Sequence, residues 1–250
     1  MLKNINYGKC LSFLKQQLRP VGQGNAVQDL IRPAVTISRM AGAGGYTVAA
    51  KLAEYLQMNV PGHCEWTVFD RNLIEKVLED HHLHKRVARF MAESHKSLVI
   101  DSVEEYLGLH PSSWTLVQKT AETVLHLAQM GYVVLMGRGG NVITSRLPNV
   151  FHVRLVGSLE NRIRRAQEDY NLDRPAALEL VKKEDKGRRS YLKDNFDKDI
   201  DDPLLYHVII NTDQISCDEA ACLIGDEVIK RFHLDNREQA ARSESLLAHK

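Results

Sequence analysis

Cysteine is scarce and scattered. Cys10, Cys64, Cys217 and Cys222 are the only four in 250 residues, and none forms a C-x-x-C pair. That excludes a disulfide framework and a zinc knuckle, leaving reduced, structural thiols. An excess of one charge is missing too. With 33 basic and 32 acidic residues the net charge is +1, so no bulk field holds nucleic acid or an anionic membrane, and any anion must be bound locally. No apolar run approaches the roughly 20 residues that cross a bilayer, and the first residues do not join a charged start to an unbroken apolar stretch. A cytoplasmic protein is expected. Internal repeats and long low-complexity tracts are also absent. What is there, at 44% hydrophobic residues, suffices for one large domain of enzyme size.

The most informative stretch is residues 34–56. Ala34, Val35, Thr36 and Ile37 follow Pro33 as a short apolar, β-branched run, the pattern of a buried parallel strand. A turn follows at Gly42, Ala43, Gly44 and Gly45. From Thr47 onward Val48, Ala49, Leu52, Tyr55 and Leu56 recur at helical spacing. A glycine-rich switch from strand to helix is where a phosphate sits, because the helix start has free N–H groups and glycines let the backbone wrap an anion. A tight turn that packs the helix over its glycines is the other reading. The common phosphate loop, G-x-x-x-x-G-K-[ST], places a lysine directly after its last glycine, and here that place holds Gly45.

Around this unit the chain reads as alternating strands and helices. Residues 1–28 hold Lys3, Lys9, Lys15 and Arg19 without an acid, and Tyr7, Leu11, Leu14 and Leu18 make one helical stripe. This basic amphipathic helix is a candidate contact with the domain, a second subunit or a partner; a membrane surface is the alternative. Trp66 to Phe69 is the second strand, ending at Asp70 and Arg71, polar residues at the strand end where open α/β sheets bind ligands. Residues 70–112 read as a helical insert covering a substrate, or as a plain crossover. Its His81, His82 and His84 lack a partner at ligand spacing, and no metal is assigned to them. A helix through Met130 stops at Gly131, and Tyr132 to Met136 is the third strand. Gly137, Arg138 and Gly139 follow, and an arginine on such a turn is placed to hold a phosphate or carboxylate. The alternative is an arginine that braces a neighbouring loop.

Val150 to Val156 is a fourth strand, His207 to Asn211 a fifth, and between them Ser158 and Asp173–Arg174–Pro175 start two helices. In the second, the spacing puts Lys182, Lys186 and Arg189 on one face and allows Glu184–Arg188 and Asp185–Arg189 pairs. Taken alone this is a solvated charged face. Its place before the fifth strand, with an acidic loop at 197–202, makes residues 173–203 a candidate lid. Ser216 starts the last helix, and residues 235–250 form a polar tail.

The loop from Ser38 and Arg39 through Gly42, Gly44 and Gly45, together with Asp70–Arg71, Gly137–Arg138–Gly139 and the basic helix, resembles the cytidylate-kinase-like family of P-loop nucleoside monophosphate kinases over about residues 33–230. The resemblance implies an α/β three-layer sandwich with a parallel five-stranded sheet in the order 2-3-1-4-5, a substrate-binding insert and a lid within residues 29–234. It implies ATP and Mg²⁺ as cofactors and CMP or dCMP as the leading acceptor. The substrate-phosphate arginine of such enzymes falls near Lys76, and Gly139 stands where they carry an aspartate.

Phosphoryl transfer then assigns roles, since its rate comes from positioning and from cations that take up charge. Backbone N–H groups of Gly42, Ala43, Gly44, Gly45 and Tyr46 cradle the donor phosphate, and Thr47 orients magnesium directly or through water. Asp70, Arg71, Lys76, Arg138 and Asp185 serve the acceptor. Arg39, Arg138, Lys186, Arg188 and Arg189 are the candidate catalytic cations, with Arg39 the candidate substitute for the missing lysine. A kinase of another small acceptor, or a nucleotide-binding regulatory protein without turnover, are the alternatives.

Overall fold

The computed structural model of the chain describes residues 32–60, 65–70, 114–137 and 139–234. The N-terminal helix, nearly all of the expected insert, the C-terminal tail, Arg71, Lys76 and Arg138 lie outside the described residues.

The first apolar run becomes β1, Ala34–Arg39, at the middle of a parallel sheet. It is flanked by β3, Val133–Met136, and β4, Val150–Val156; β2, Thr67–Phe69, and β5, Val208–Asn211, lie at the edges. The order is β2-β3-β1-β4-β5, as the resemblance implied. Thr36 registers with Leu135 on one side and His152 on the other. Pairing with β4 carries β1 two residues past the expected end, through Ser38↔Arg154 and Arg39↔Leu155. Alternate residues face opposite layers, as the period of two requires.

On one face, Val35 and Ile37 are fully buried with Val48, Ala49, Leu52 and Leu56 of helix α1, Gly45–Asn59. Helix α6, Cys217–Arg231, completes this layer through Ala220, Ile224 and Val228, started by a capping box between Ser216 and Glu219. On the other face, helix α2, Trp114–Met130, and the short helix α3, Gly140–Ile143, contact β1 and β3. The two helices between β4 and β5 are α4, Leu159–Tyr170, and α5, Arg174–Phe196. Their caps are Ser158 and Asp173, accepting from Asn161 N and Ala176 N. The crossovers therefore bring the ends of β1 and β3, the loop before α1 and one side of α5 to a single edge of the sheet, where ligands bind in this class of fold.

Candidate active site at the carboxyl edge of the sheet

The loop between β1 and α1 is fixed by its neighbours. Gly42 has φ +74°, and a Cβ there would stand 2.2 Å from the carbonyl oxygen of Arg162, so both conformation and space demand glycine. Just before it, the peptide of Ala41 is gripped on both sides. Its N–H donates to Asp185 Oδ1 at 2.7 Å, and its carbonyl accepts from Arg162 Nη1 at 3.1 Å. Arg162 and Asp185 also pair with each other at 2.6 Å. The first helical bond of α1 runs from Val48 N to Gly44 O, and the N–H groups of Gly45, Tyr46 and Thr47 have no acceptor among the described residues. A loop held at Ala41 thus leaves a row of unbonded donors at the start of α1, a site for an anion.

Arg39 explains the glycine that follows. A Cβ on Gly45 would lie 3.0 Å from Arg39 Cγ and 3.4 Å from Cδ. The arginine stem therefore runs through the space in which a lysine at 45 would begin. At its far end, Nη1 sits 2.4 Å from where Gly137 would carry a Cβ. Burial lowers the Arg39 pKa to about 10, with Arg188 adding repulsion and Tyr46, Asp70 and Glu184 opposing it. The guanidinium still keeps its proton at neutral pH. Tyr46 donates to Asp70 Oδ2 at 2.9 Å, and burial followed by that carboxylate raises its pKa to about 12.

Beside Arg39 opens a cavity of about 340 Å³ between the ends of β1 and β3 and the flank of α5. Its charged lining is Arg39, Lys183, Glu184 and Arg188. Arg188 is held there by Glu184 at 3.1 Å and by a long contact of 3.5 Å to the Arg39 carbonyl. Two guanidiniums facing one another in a partly desolvated space repel, and an anion between them relieves that repulsion.

The expected residues divide accordingly. Arg39 and Arg188 meet at the cavity. Gly42 to Thr47 form the loop beside it, with Tyr46 and Thr47 exposed, but the Ala43 N–H, expected among the phosphate donors, is already bonded to the Met40 carbonyl at 3.2 Å. Asp70 is buried next to Tyr46. The expected rotation of α5 is corrected: Lys183, Glu184, Gly187, Arg188 and Tyr191 face the cavity, whereas Lys186 is exposed outside its lining. Burial of Ala177, Val181 and Leu192 sets that rotation. The expected Asp185–Arg189 pair is also replaced. Asp185 turns to Arg162 and the loop, and Arg189 donates to Asp201 at 2.9 Å. Asp201 joins it to the buried Arg154 of β4 at 2.6 Å; burial works against the ionised Asp201, but the two arginines prevail and lower its pKa. Glu184 pairs with Arg188 as expected.

Sequence reasoning missed Arg162 and Asn141. Arg162 stands on the apolar stripe of α4 with Ile163 and Ala166, and a charge on a buried stripe is a signal. Asn141 follows two glycines at the start of α3 and carries no periodic signal. Among the described residues no group of three or more His, Cys, Asp or Glu is placed to hold a metal, and no helix is long and apolar enough to cross a membrane.

A crystal structure of an uncharacterized protein from Eubacterium ventriosum has the same fold, with a TM-score of 0.60 at 20% identity over 80% of this chain and 99% of that one. TT1252 from Thermus thermophilus aligns over 80% of this chain and 97% of its own at a TM-score of 0.41 and 14% identity. No curated protein matches the chain. The family model for the cytidylate kinase-like family matches residues 34–214, which hold the loop, the strand ends and α5 alike. That match takes in well over half of the sequence, and the chain belongs to the cytidylate kinase-like family.

Proposed function

We propose that this protein transfers the γ-phosphoryl group of ATP to the phosphate of a nucleoside monophosphate, CMP or dCMP first, giving ADP and the diphosphate. One observation carries the reading: a row of unbonded loop N–H groups at Gly45, Tyr46 and Thr47 beside a cavity into which Arg39 and Arg188 bring two cations. In-line transfer needs little covalent help from the protein, and these are the parts that position phosphates and take up their charge.

The loop from Gly42 to Tyr46 would cradle the donor phosphates. Arg39 would stand in for the loop lysine, with Arg188 opposite it across the transferred group and Arg138 on the acceptor phosphate. Magnesium, when bound, draws charge from the phosphates. Thr47 would hold it directly or through water, and one exposed hydroxyl suffices because Mg²⁺ keeps waters and phosphate oxygens as its other ligands. Asp70, Arg71 and Lys76 belong to the acceptor side, and Asp185 serves by fixing the loop. Lys186 and Arg189 contribute only if α5 moves. A second reading, nucleotide binding without turnover, is suggested by Gly45, by Gly139 and by the N-terminal extension.

ADP formation from Mg-ATP with CMP, dCMP, UMP, AMP, GMP or no acceptor separates the two. Turnover with a pyrimidine nucleotide above the no-acceptor rate is expected. Calorimetric binding of ATP with no turnover on any acceptor would establish the second reading instead.

A further inference from the structure

Gly187 and Gly225 stand inside helices α5 and α6, where a glycine weakens the helix and so needs a reason. At Gly225 the reason is packing, since a Cβ would stand 2.3 Å from the Tyr55 ring. At Gly187 the protein supplies none. Its backbone is ordinary helix, and among the described residues nothing comes within 4 Å of the place its Cβ would take. That open space belongs to the cavity beside Arg39, whose lining Gly187 joins.

Along α5 the lining residues Lys183, Gly187 and Tyr191 follow at intervals of four, so they share one face over about 12 Å of helix. An ammonium and a phenol are thus separated by a step of bare backbone. Gly137, Gly139 and Gly140 line the cavity from the β3 side, so backbone walls it there as well. The guanidiniums of Arg39 and Arg188 beside this slot call for a phosphate, and a wall without side chains gives room to the bulky group that the phosphate carries. We infer that Gly187 is a specificity-determining residue for the acceptor: it clears the slot in which the sugar next to the acceptor phosphate lies against α5. The inference rests on the kinase reading above for the phosphate itself. Because every nucleoside monophosphate carries that sugar, Gly187 sets the clearance for the sugar and does not read the base.

The test puts a small and a large side chain into the slot, as Gly187→Ala and Gly187→Leu in the full-length protein. Thermal unfolding, calorimetric titration with CMP, UMP, AMP and, separately, ATP, and ADP formation are measured on each. Alanine favours a helix over glycine, so the Tm of Gly187→Ala should rise by about 2–4 °C. Its affinity for each nucleoside monophosphate that binds should nevertheless fall at least tenfold, by the same factor within threefold, and further in Gly187→Leu. ATP affinity should stay within threefold of wild type. Stability and binding then move in opposite directions, which a purely structural glycine does not produce. Monophosphate affinity within threefold of wild type in Gly187→Leu overturns the inference. So does a fall in kcat at unchanged affinity, which would make Gly187 a hinge of α5, or a lower Tm in Gly187→Ala, which would show that the protein itself needs the glycine. Monophosphate binding that Gly187→Ala loses, in a protein that forms no ADP, sinks the kinase reading alone. Turnover by wild type and both variants at one KM sinks the sugar slot alone. A wild type that binds none of the three monophosphates sinks both.

Discussion

At position 45 the chain carries a hydrogen where a common phosphate loop carries a lysine, and the side chain of Arg39 passes within 3.0 Å of that point. Arginine and glycine are thus one arrangement: a cation enters from the strand before the loop because the residue after it has no Cβ to block the way. Gly139 is a similar case. Its φ is +68° and its missing Cβ would lie 2.9 Å from the Phe196 ring and 3.3 Å from Leu192, so any side chain there would be strained and would push those two aside. If Arg39 supplies the charge on the transferring group, Arg39→Ala should lower kcat by on the order of 10³, the scale of a lost phosphoryl-stabilising cation. Gly45→Lys alone should also lower it, by forcing the Arg39 stem aside. The double variant should recover at least tenfold over Arg39→Ala, because the lysine then has both the space and the task. Steady-state ADP formation reads all three. An Arg39→Ala enzyme within threefold of wild type would remove Arg39 from the chemistry, and a strong gain from Gly45→Lys alone would mean the natural loop is impaired.

Among the elements, α5 does the most to join the loop to the cavity. Asp185 is its link, bonded to the Ala41 N–H and paired with an Arg162 only 8% exposed. Asp185→Ala should cost about 3 kcal/mol in urea unfolding, since it strands a buried guanidinium as well as losing a bond to the loop. Arg174→Ala, which breaks an exposed pair with Glu160, should leave the unfolding midpoint unchanged. Equal midpoints for Asp185→Ala and wild type would show that Arg162 and Ala41 hold the loop without it. Much of this layout was legible in the sequence. Short apolar and β-branched runs marked β1 and β3, β4 was legible although His152 and Arg154 interrupt it, and Ser158, Asp173 and Ser216 announced helix starts because a side-chain oxygen there meets a free N–H. The rotation of α5 was not legible. Its 23 residues carry charge on every side and bury only Ala177, Val181 and Leu192, so local periodicity could not say which cations face inward. The partner of Asp185 lies on another helix, and no i,i+4 rule reaches it.

At the scale of the whole sheet, a buried histidine joins its central strands. His152 of β4 is 6% exposed, with Nδ1 2.8 Å from Thr36 Oγ1 on β1, and its ring stacks on His207 before β5 at 4.9 Å. Its backbone N–H donates to His207 Nδ1 at 2.8 Å. Burial, then His207 and Arg231, lower the His152 pKa from an ordinary 6.5 to about 4. His207 is lowered as well, by burial and then Arg231, but it is exposed and contributes less. A folded-state pKa below the unfolded value means that the unfolded chain binds the proton more readily. The stabilisation is therefore complete above pH 6.5 and is lost as pH falls toward 4. The full difference is worth about 3 kcal/mol, of which about 2 should be gone by pH 5. Asp201 and other carboxylates with lowered pKa act in the same direction but below the ordinary carboxylate range, so the window between pH 7.5 and 5 belongs mainly to the histidines. Urea unfolding at the two pH values should show that loss in wild type and a markedly smaller one in His152→Leu, whatever the variant costs at pH 7.5. Equal pH slopes in the two proteins would place the acid sensitivity elsewhere. Because Thr36 and His152 lie in register at the middle of the sheet, two residues before the Ser38 and Arg154 pair, acid should weaken the platform of the site together with the fold.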